Sequence, residues 1–302
     1  MTEQHSDSDE AIARKVPLAR LLRDLRAAGR ELGIGEARFL VDAYYLIQDD
    51  RKRSASQVRA LADSNEPASV LAWFADLNRR AEAEIRTELG RWADTQPVAV
   101  WAQTIRGIGP VLAAGLSAHI EIEKAPTVGH IWRFAGVDPT VKWEKGQKRP
   151  WNATLKTIQW KIGESFVKVQ NLDGDIYGHV YAERKAWEAE RNERLLYREQ
   201  AEAALAAKRI GKDTEAYKAY SIGKLPPGHL HARAKRYAVK LFLSSLHEVA
   251  FYLHHGTLPP LPYILTQPGH SDWFQAPHAD LVPGLLEAQA AARALHRAEL
   301  TR

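Results

Sequence analysis

The stretch Trp101–Ile120, WAQTIRGIGPVLAAGLSAHI, is the first place where residue type and spacing suggest chemistry. Gly107 and Gly109 bracket Ile108, and Pro110 follows. Glycine lacks a Cβ, so it accepts positive φ and lets backbone or a ligand come close. Proline is favoured at the first position of a helix, where its missing N–H costs nothing. Leu112, Leu116 and Ile120 then recur at helical spacing. The combination predicts a tight hairpin feeding a helix, with Ile108 turned inward to hold the flanking helices together. The open amides at such a helix start attract anions, phosphate above all. This is the helix-hairpin-helix grip on nucleic-acid backbone, which reads no bases. A plain helical corner with glycine at its turn is the simpler alternative.

Residues 142–161, KWEKGQKRPWNATLKTIQWK, carry six basic residues: Lys142, Lys145, Lys148, Arg149, Lys156 and Lys161. Glu144 is their only acid, so the excess equals the formal net charge of the whole chain, +5. Trp143, Trp151 and Trp160 are interleaved with them. Cations for phosphates among flat aromatic faces are the composition of a nucleic-acid surface. The competing reading is a solvated loop whose tryptophans pack inward. A second run, HARAKRYAVK, offers Arg233, Lys235, Arg236 and Lys240 without an acid. On a helix some of these must turn toward the core, so its signal is weaker.

Other chemistries find less support. HEVAFYLHH sets His247 before Glu248, but Phe251 stands where the second ligand of an H-E-x-x-H metalloprotease belongs. His254 shares a face with His247, and a helix end with satisfied imidazoles accounts for both. NLDGDIY matches part of a calcium loop without its remaining ligands, so Asp173-Gly174 reads as a turn. Ser244-Ser245 has no evident base, and neither a P-loop nor a dinucleotide fingerprint is present. The chain has no cysteine, which excludes disulfides and thiolate metal sites. No catalytic residue, metal or cofactor is therefore expected.

The elements that must position these residues read as helices throughout. Residues 1–16 form a polar tail, and Leu18, Leu21, Leu22 and Leu25 make the stripe of a half-buried helix. A helix over Glu36–Asp63 follows, with Phe39, Leu40, Ala43 and Leu46 as its apolar face. Leu71, Phe74, Leu77, Ile85, Leu89 and Trp92 predict a long helix opposite an Arg/Glu-rich side, able to pair two copies of the chain through residues 71–92. Further helices are expected near Val128–Ala135, Asn152–Gln170, Ile176–Arg209, His229–His255 and Leu285–Leu300, with GKLPP and a Pro-rich segment as breaks. The expected fold is an all-α helical bundle with a helix-hairpin-helix motif and long charged coiled-coil-like helices. Its expected parts are a tail and helices over 1–65, a linker helix over 66–96, the hairpin domain over 97–256 and a Pro/His-rich loop with a final helix over 257–302. No apolar run is long enough for a membrane span, and no secretory leader precedes the first helix, so a cytoplasmic place is expected.

The order RGIGPVLAAGLSAHI, then VGHIWRFAGVDPT, resembles the C-terminal transposase domain of the IS-one-ten / IS-one-sixteen / nine-oh-two insertion-sequence family. That domain has a P-G-I-G-P hairpin, an apolar helix, an A-G-L-D-P-S segment, a Ser-Gly loop and a basic stretch leading into a helix. ADLNRRAEAEIRTELGRWAD resembles the coiled linker before it, and HARAKRYAVKLFLSSLHEVAFY is similar to its late helix. The similarity runs over roughly 71–256, most closely 105–140. It implies binding of DNA, with structured RNA as a further partner, and a bacterial or phage origin.

The departures touch the chemistry. The family's acidic catalytic domain needs four carboxylates on a strand-rich fold, and the residues before the similar region read as helices. The family's nucleophilic serine aligns to Lys145-Gly146, and lysine cannot replace an attacking hydroxyl. Thr140 falls on the neighbouring D-P-S serine, and Arg106 on the hairpin's proline, where it adds charge. The resemblance thus implies a catalytically degenerate DNA-binding protein, and the residues read above as its contacts are Arg106, Gly107, Ile108 and Gly109, the six basic residues of 142–161 with Trp151, and Arg233, Lys235 and Arg236. A recombinase subunit acting with a separate catalytic chain, or a helical adaptor, are the alternatives.

Overall fold

The structure is a computed structural model and describes residues 27, 29–207, 209–261 and 274–300. Among them are eleven α-helices and no strand, so the chain is all-α. The expected helix at Leu18–Leu25 and residues 262–273 of the Pro-rich segment lie outside the described residues. The chain forms two compact units: one holds the residues up to Val100 together with Gly109–Ile120, the other Trp101–Ile108 and the residues from Glu121 onward. No described helix is long and apolar enough to cross a membrane.

In the first unit α1 (Ile34–Asp63) and α2 (Ser69–Asp94) are joined by a five-residue turn and pack on each other and on α4 (Pro110–His119). The helix α3 (Pro97–Thr104) carries the chain from this unit into the second. The stripe expected on α2 is largely used within the unit: Ile85, Leu89 and Trp92 are buried, whereas Val70, Trp73 and Phe74 near its start remain exposed. A Cβ at Gly90 would stand 3.4 Å from Pro110 Cβ, so α2 and α4 lie close together there.

The apolar face expected on α1 is displaced. Phe39 and Leu46 are 72% and 69% exposed, and Ala37 and Val41 are the buried pair. Small residues let α1 come close, and polar pairs fix its rotation. Arg51 Nε lies 2.5 Å from Glu82 Oε2, Gln48 donates to Glu82 Oε1 at 2.8 Å, and Arg38 donates to the Ala118 carbonyl. Burial alone would raise the Glu82 carboxyl, but these hydrogen bonds from Arg51 and Gln48 outweigh it and hold it below its ordinary value.

The second unit is built around α10 (Pro227–His255), which packs against α5 (Val128–Phe134), α6 (Ala153–Val169) and α7 (Tyr177–Glu193). Leu155, Ile158, Ile162 and Phe166 of α6 are fully buried, as are Ala234, Ala238, Phe242, Leu243 and Val249 of α10. Steps of three and four on α6, and steps of four from Ala234 to Phe242 with Val249 two turns further on α10, make one apolar face on each helix. Gly178 is what allows α6 and α7 to meet: a Cβ there would sit 2.5 Å from the Phe166 carbonyl oxygen and 2.7 Å from Gln170 Cα.

The single helix expected over Ile176–Arg209 is interrupted. It ends at Glu193, Leu195 takes a left-handed φ of 57°, and α8 (Arg198–Ala207) restarts at an angle set by the turn. The reason is Tyr197, which turns inward and donates to the buried Glu188 at 2.5 Å. Arg184 and Arg233 bind the same carboxylate at 2.8 Å each. Asn192 then clasps the backbone N–H and carbonyl of Leu225, fixing the GKLPP break after α9 (Glu215–Ser221). The last helix, α11 (Leu285–Leu300), is joined to α10 through Gln289, whose amide donates to the buried Glu248 at 2.8 Å.

Two measurements check this packing. Gly178→Ala forces methyl against backbone, so it should cost about 3 kcal/mol or more in denaturant unfolding. Burial would raise the Glu188 carboxyl, but hydrogen bonds from Tyr197, Arg233 and Arg184 hold it below its ordinary value. Its contribution is then complete above the unfolded carboxyl's range and lost as pH falls through the lower folded value. Glu188→Gln should cost about 3 kcal/mol near neutral pH. The melting-temperature gap from the unaltered chain should close below about pH 4.

Candidate nucleic-acid interface

The two hairpin glycines have different duties. Gly107 has φ +98°, a conformation L side chains rarely adopt. Its carbonyl accepts the Ser165 hydroxyl at 2.6 Å, and a Cβ would press on Ser165, Phe166 and Val169 of α6 at 3.1–3.4 Å. Ile108 is buried, 4% exposed, as its inward role requires, and its N–H donates to the Ile105 carbonyl at 3.0 Å. Gly109 caps α4 in ordinary extended backbone, φ −92° and ψ 174°, and nothing stands within 4 Å of where its Cβ would be. Pro110 occupies the first turn of α4, and Arg106 is exposed. The first-turn amides of α4 lack intrahelical partners, as at any helix start.

The basic, tryptophan-rich segment wraps the start of α6. Asn152 caps that helix, accepting the Leu155 N–H at 2.8 Å, and its own N–H donates to the Phe134 carbonyl at 2.9 Å. Trp151 beside it is half-buried. One face lies on Gly136, where a Cβ would come within 2.9 Å of the ring; Lys156 Nζ stands 3.7 Å from the ring centroid. Gly136 has φ +67°, so glycine is needed there for conformation and for space. Trp143 approaches Trp151 edge-on at 6.4 Å and donates its indole N–H to the Gln147 carbonyl at 2.8 Å, closing the turn through Lys145-Gly146. Lys142, Lys145, Lys148 and Arg149 project from this loop and are exposed, and Lys161 is half-buried on α6.

Together these residues bound an open cleft of about 490 Å³. Its walls are Trp143, Trp151, Trp160, Arg149 and Lys156, with Ala153, Thr157 and Gln159 completing the lining and no carboxylate among them. Trp143 and Trp160 remain 44% and 55% exposed. On sequence alone Trp151 can be a stacking ring or a packing anchor. The geometry makes Trp151 the anchor and leaves Trp143 and Trp160 with accessible surface. Burial, together with the charges of Arg149 and Arg236, lowers the Lys156 ammonium's pKa from its ordinary value.

That coupling shows which parts of the second basic run reach this surface. Arg236 is exposed and within electrostatic range of Lys156. Arg233 binds Glu188, and Lys235 is paired with Glu164 while its Nζ lies 5.6 Å from the Trp160 ring centre. Lys240 lies 4.0 Å over Trp132. The helix therefore commits two of its four cations to carboxylates of its own unit.

The histidine-rich end of α10 forms no metal centre: among the described residues no group of three potential ligands is assembled. His247 is buried with its Nε2 at 2.8 Å from the Ala125 carbonyl, and burial lowers its pKa. Gly174 has φ +72°, a turn conformation. Comparison with protein-family models, curated proteins and solved structures finds no match.

The contrast between glycines is measurable. Gly107→Ala should lower stability by about 1–3 kcal/mol from backbone strain, whereas Gly109→Ala should leave the melting temperature within error. Trp151→Ala should behave as a packing mutant, losing about 3 kcal/mol.

Proposed function

We propose that this chain binds nucleic acid through the basic, tryptophan-lined cleft at the start of α6, as a catalytically degenerate relative of the insertion-sequence transposases it resembles. The observation that carries this reading is the carboxylate-free cleft of about 490 Å³, walled by three tryptophans and flanked by Arg149 and Lys156. A polyanion is drawn by the exposed Lys142, Lys145, Lys148 and Arg149, while the rings supply flat apolar surface. The hairpin at Gly107–Gly109 contributes a second, backbone-only contact at the α4 amides. Lys145 at the family's serine position supplies no hydroxyl nucleophile, so DNA is held without being cut.

Binding of duplex, branched and single-stranded DNA and of RNA across a salt series tests the proposal. Replacing Lys148 and Arg149 by Gln should lower affinity, and the log–log salt slope should shrink by about one unit for each phosphate no longer neutralised. An unchanged slope removes the segment from the binding surface. Supercoiled plasmid incubated with magnesium or manganese should stay intact; nicking that copurifies with the chain contradicts the degenerate reading.

A further inference from the structure

The cleft's shape and chemistry select more than a phosphate chain. Trp143 and Trp160 line one cleft with 44% and 55% of their surface accessible, whereas Trp151 in the same lining is half-buried beside Gly136 and Lys156. Trp143 is held by its indole hydrogen bond to Gln147, so its ring is presented with little rotamer entropy left to lose. Gln159, only 7% exposed, lines the same cleft with an amide that can both donate and accept. Arg149 and Lys156 complete the lining as cations. A phosphate backbone alone would need none of the aromatic surface, and an apolar peptide would need none of the charge. A nucleotide combines a flat π face, polar edges and an anionic phosphate.

Resting on the nucleic-acid reading above, we infer that this cleft captures an unpaired nucleobase, its face on Trp160, the more exposed of the two rings, and its phosphate toward Arg149 and Lys156. The preferred ligand is then single-stranded or branched nucleic acid, because a base inside a duplex cannot present its face without unstacking. A paired helix is held by charge alone, more weakly at equal length.

The test compares an oligothymidylate, an abasic strand of the same length and a duplex, bound to the full chain and followed by tryptophan fluorescence and anisotropy. The oligothymidylate should bind about tenfold more tightly than the abasic strand and quench fluorescence. Trp160→Ala should abolish that difference with an unchanged salt slope, and Trp160→Phe should restore most of it. The exposed position predicts an unchanged melting temperature for both variants; if Trp160→Ala melts early, the Phe variant and the abasic comparison decide. Equal, salt-sensitive binding of base-bearing and abasic strands overturns base capture while leaving phosphate binding intact. Salt-insensitive or absent binding of every strand overturns both.

Discussion

The ring of Phe242 meets Phe166 and Tyr177 edge-on at 5.6 and 5.3 Å and lies nearly parallel to Trp101 at 6.3 Å. Phe166 and Tyr177 stack on each other at 5.2 Å, and Tyr177 donates its buried hydroxyl to Ser245 at 2.7 Å. Aromatic packing of this kind contributes through large buried area and preferred ring geometry. It fixes α6 and α7 on α10, and only because Gly178 leaves no Cβ between α6 and α7. The start of α6 inherits its position from that contact. So do Asn152 and Trp151 and, through Trp151, the loop bearing the exposed cations.

Charge is partitioned by the same packing. Helix α10 carries four cations in eight residues, yet its neighbours supply Glu188 for Arg233 and Glu164 for Lys235. Glu188 is buried and would be costly to leave unpaired, so Arg233 serves structure first, while Lys235 is held by the half-buried Glu164. The loop before α6 has only Glu144 nearby in sequence, and its lysines stay exposed. Positive potential therefore concentrates where accessible rings are also found, which is the reason to look for a polyanion there.

Tryptophan roles divide along a physical line. A ring set against Gly136 with an alkyl-ammonium over it, as Trp151 is, holds the loop in place. A ring anchored by its N–H and still 44% exposed, as Trp143 is, has area to offer a partner, with the Arg149 guanidinium 5.5 Å from its centre. Gly136 enforces the difference, because any side chain there would collide with the Trp151 ring.

The all-α class, most helix limits and the hairpin turn were legible in the sequence, because 3.6-residue periodicity, Pro110 and the glycines act locally. Gly107 shows this best: its left-handed backbone is a property of the turn itself. The concentration of charge in 142–161 was equally plain. Which face α1 buries was not. Phe39 and Leu46 carry more apolar area than Ala37 and Val41, but close approach and the Glu82 pairs decide the rotation. Nor could sequence show that Tyr197 breaks a long helix to reach Glu188, or that Glu188 and Glu164 engage half the cations of the second basic run. Trp143, Trp151 and Trp160 are alike in one dimension. Only tertiary structure, by placing Gly136 against one of them, decided which ring became half-buried and which two stayed more exposed, because burial depends on neighbours distant along the chain.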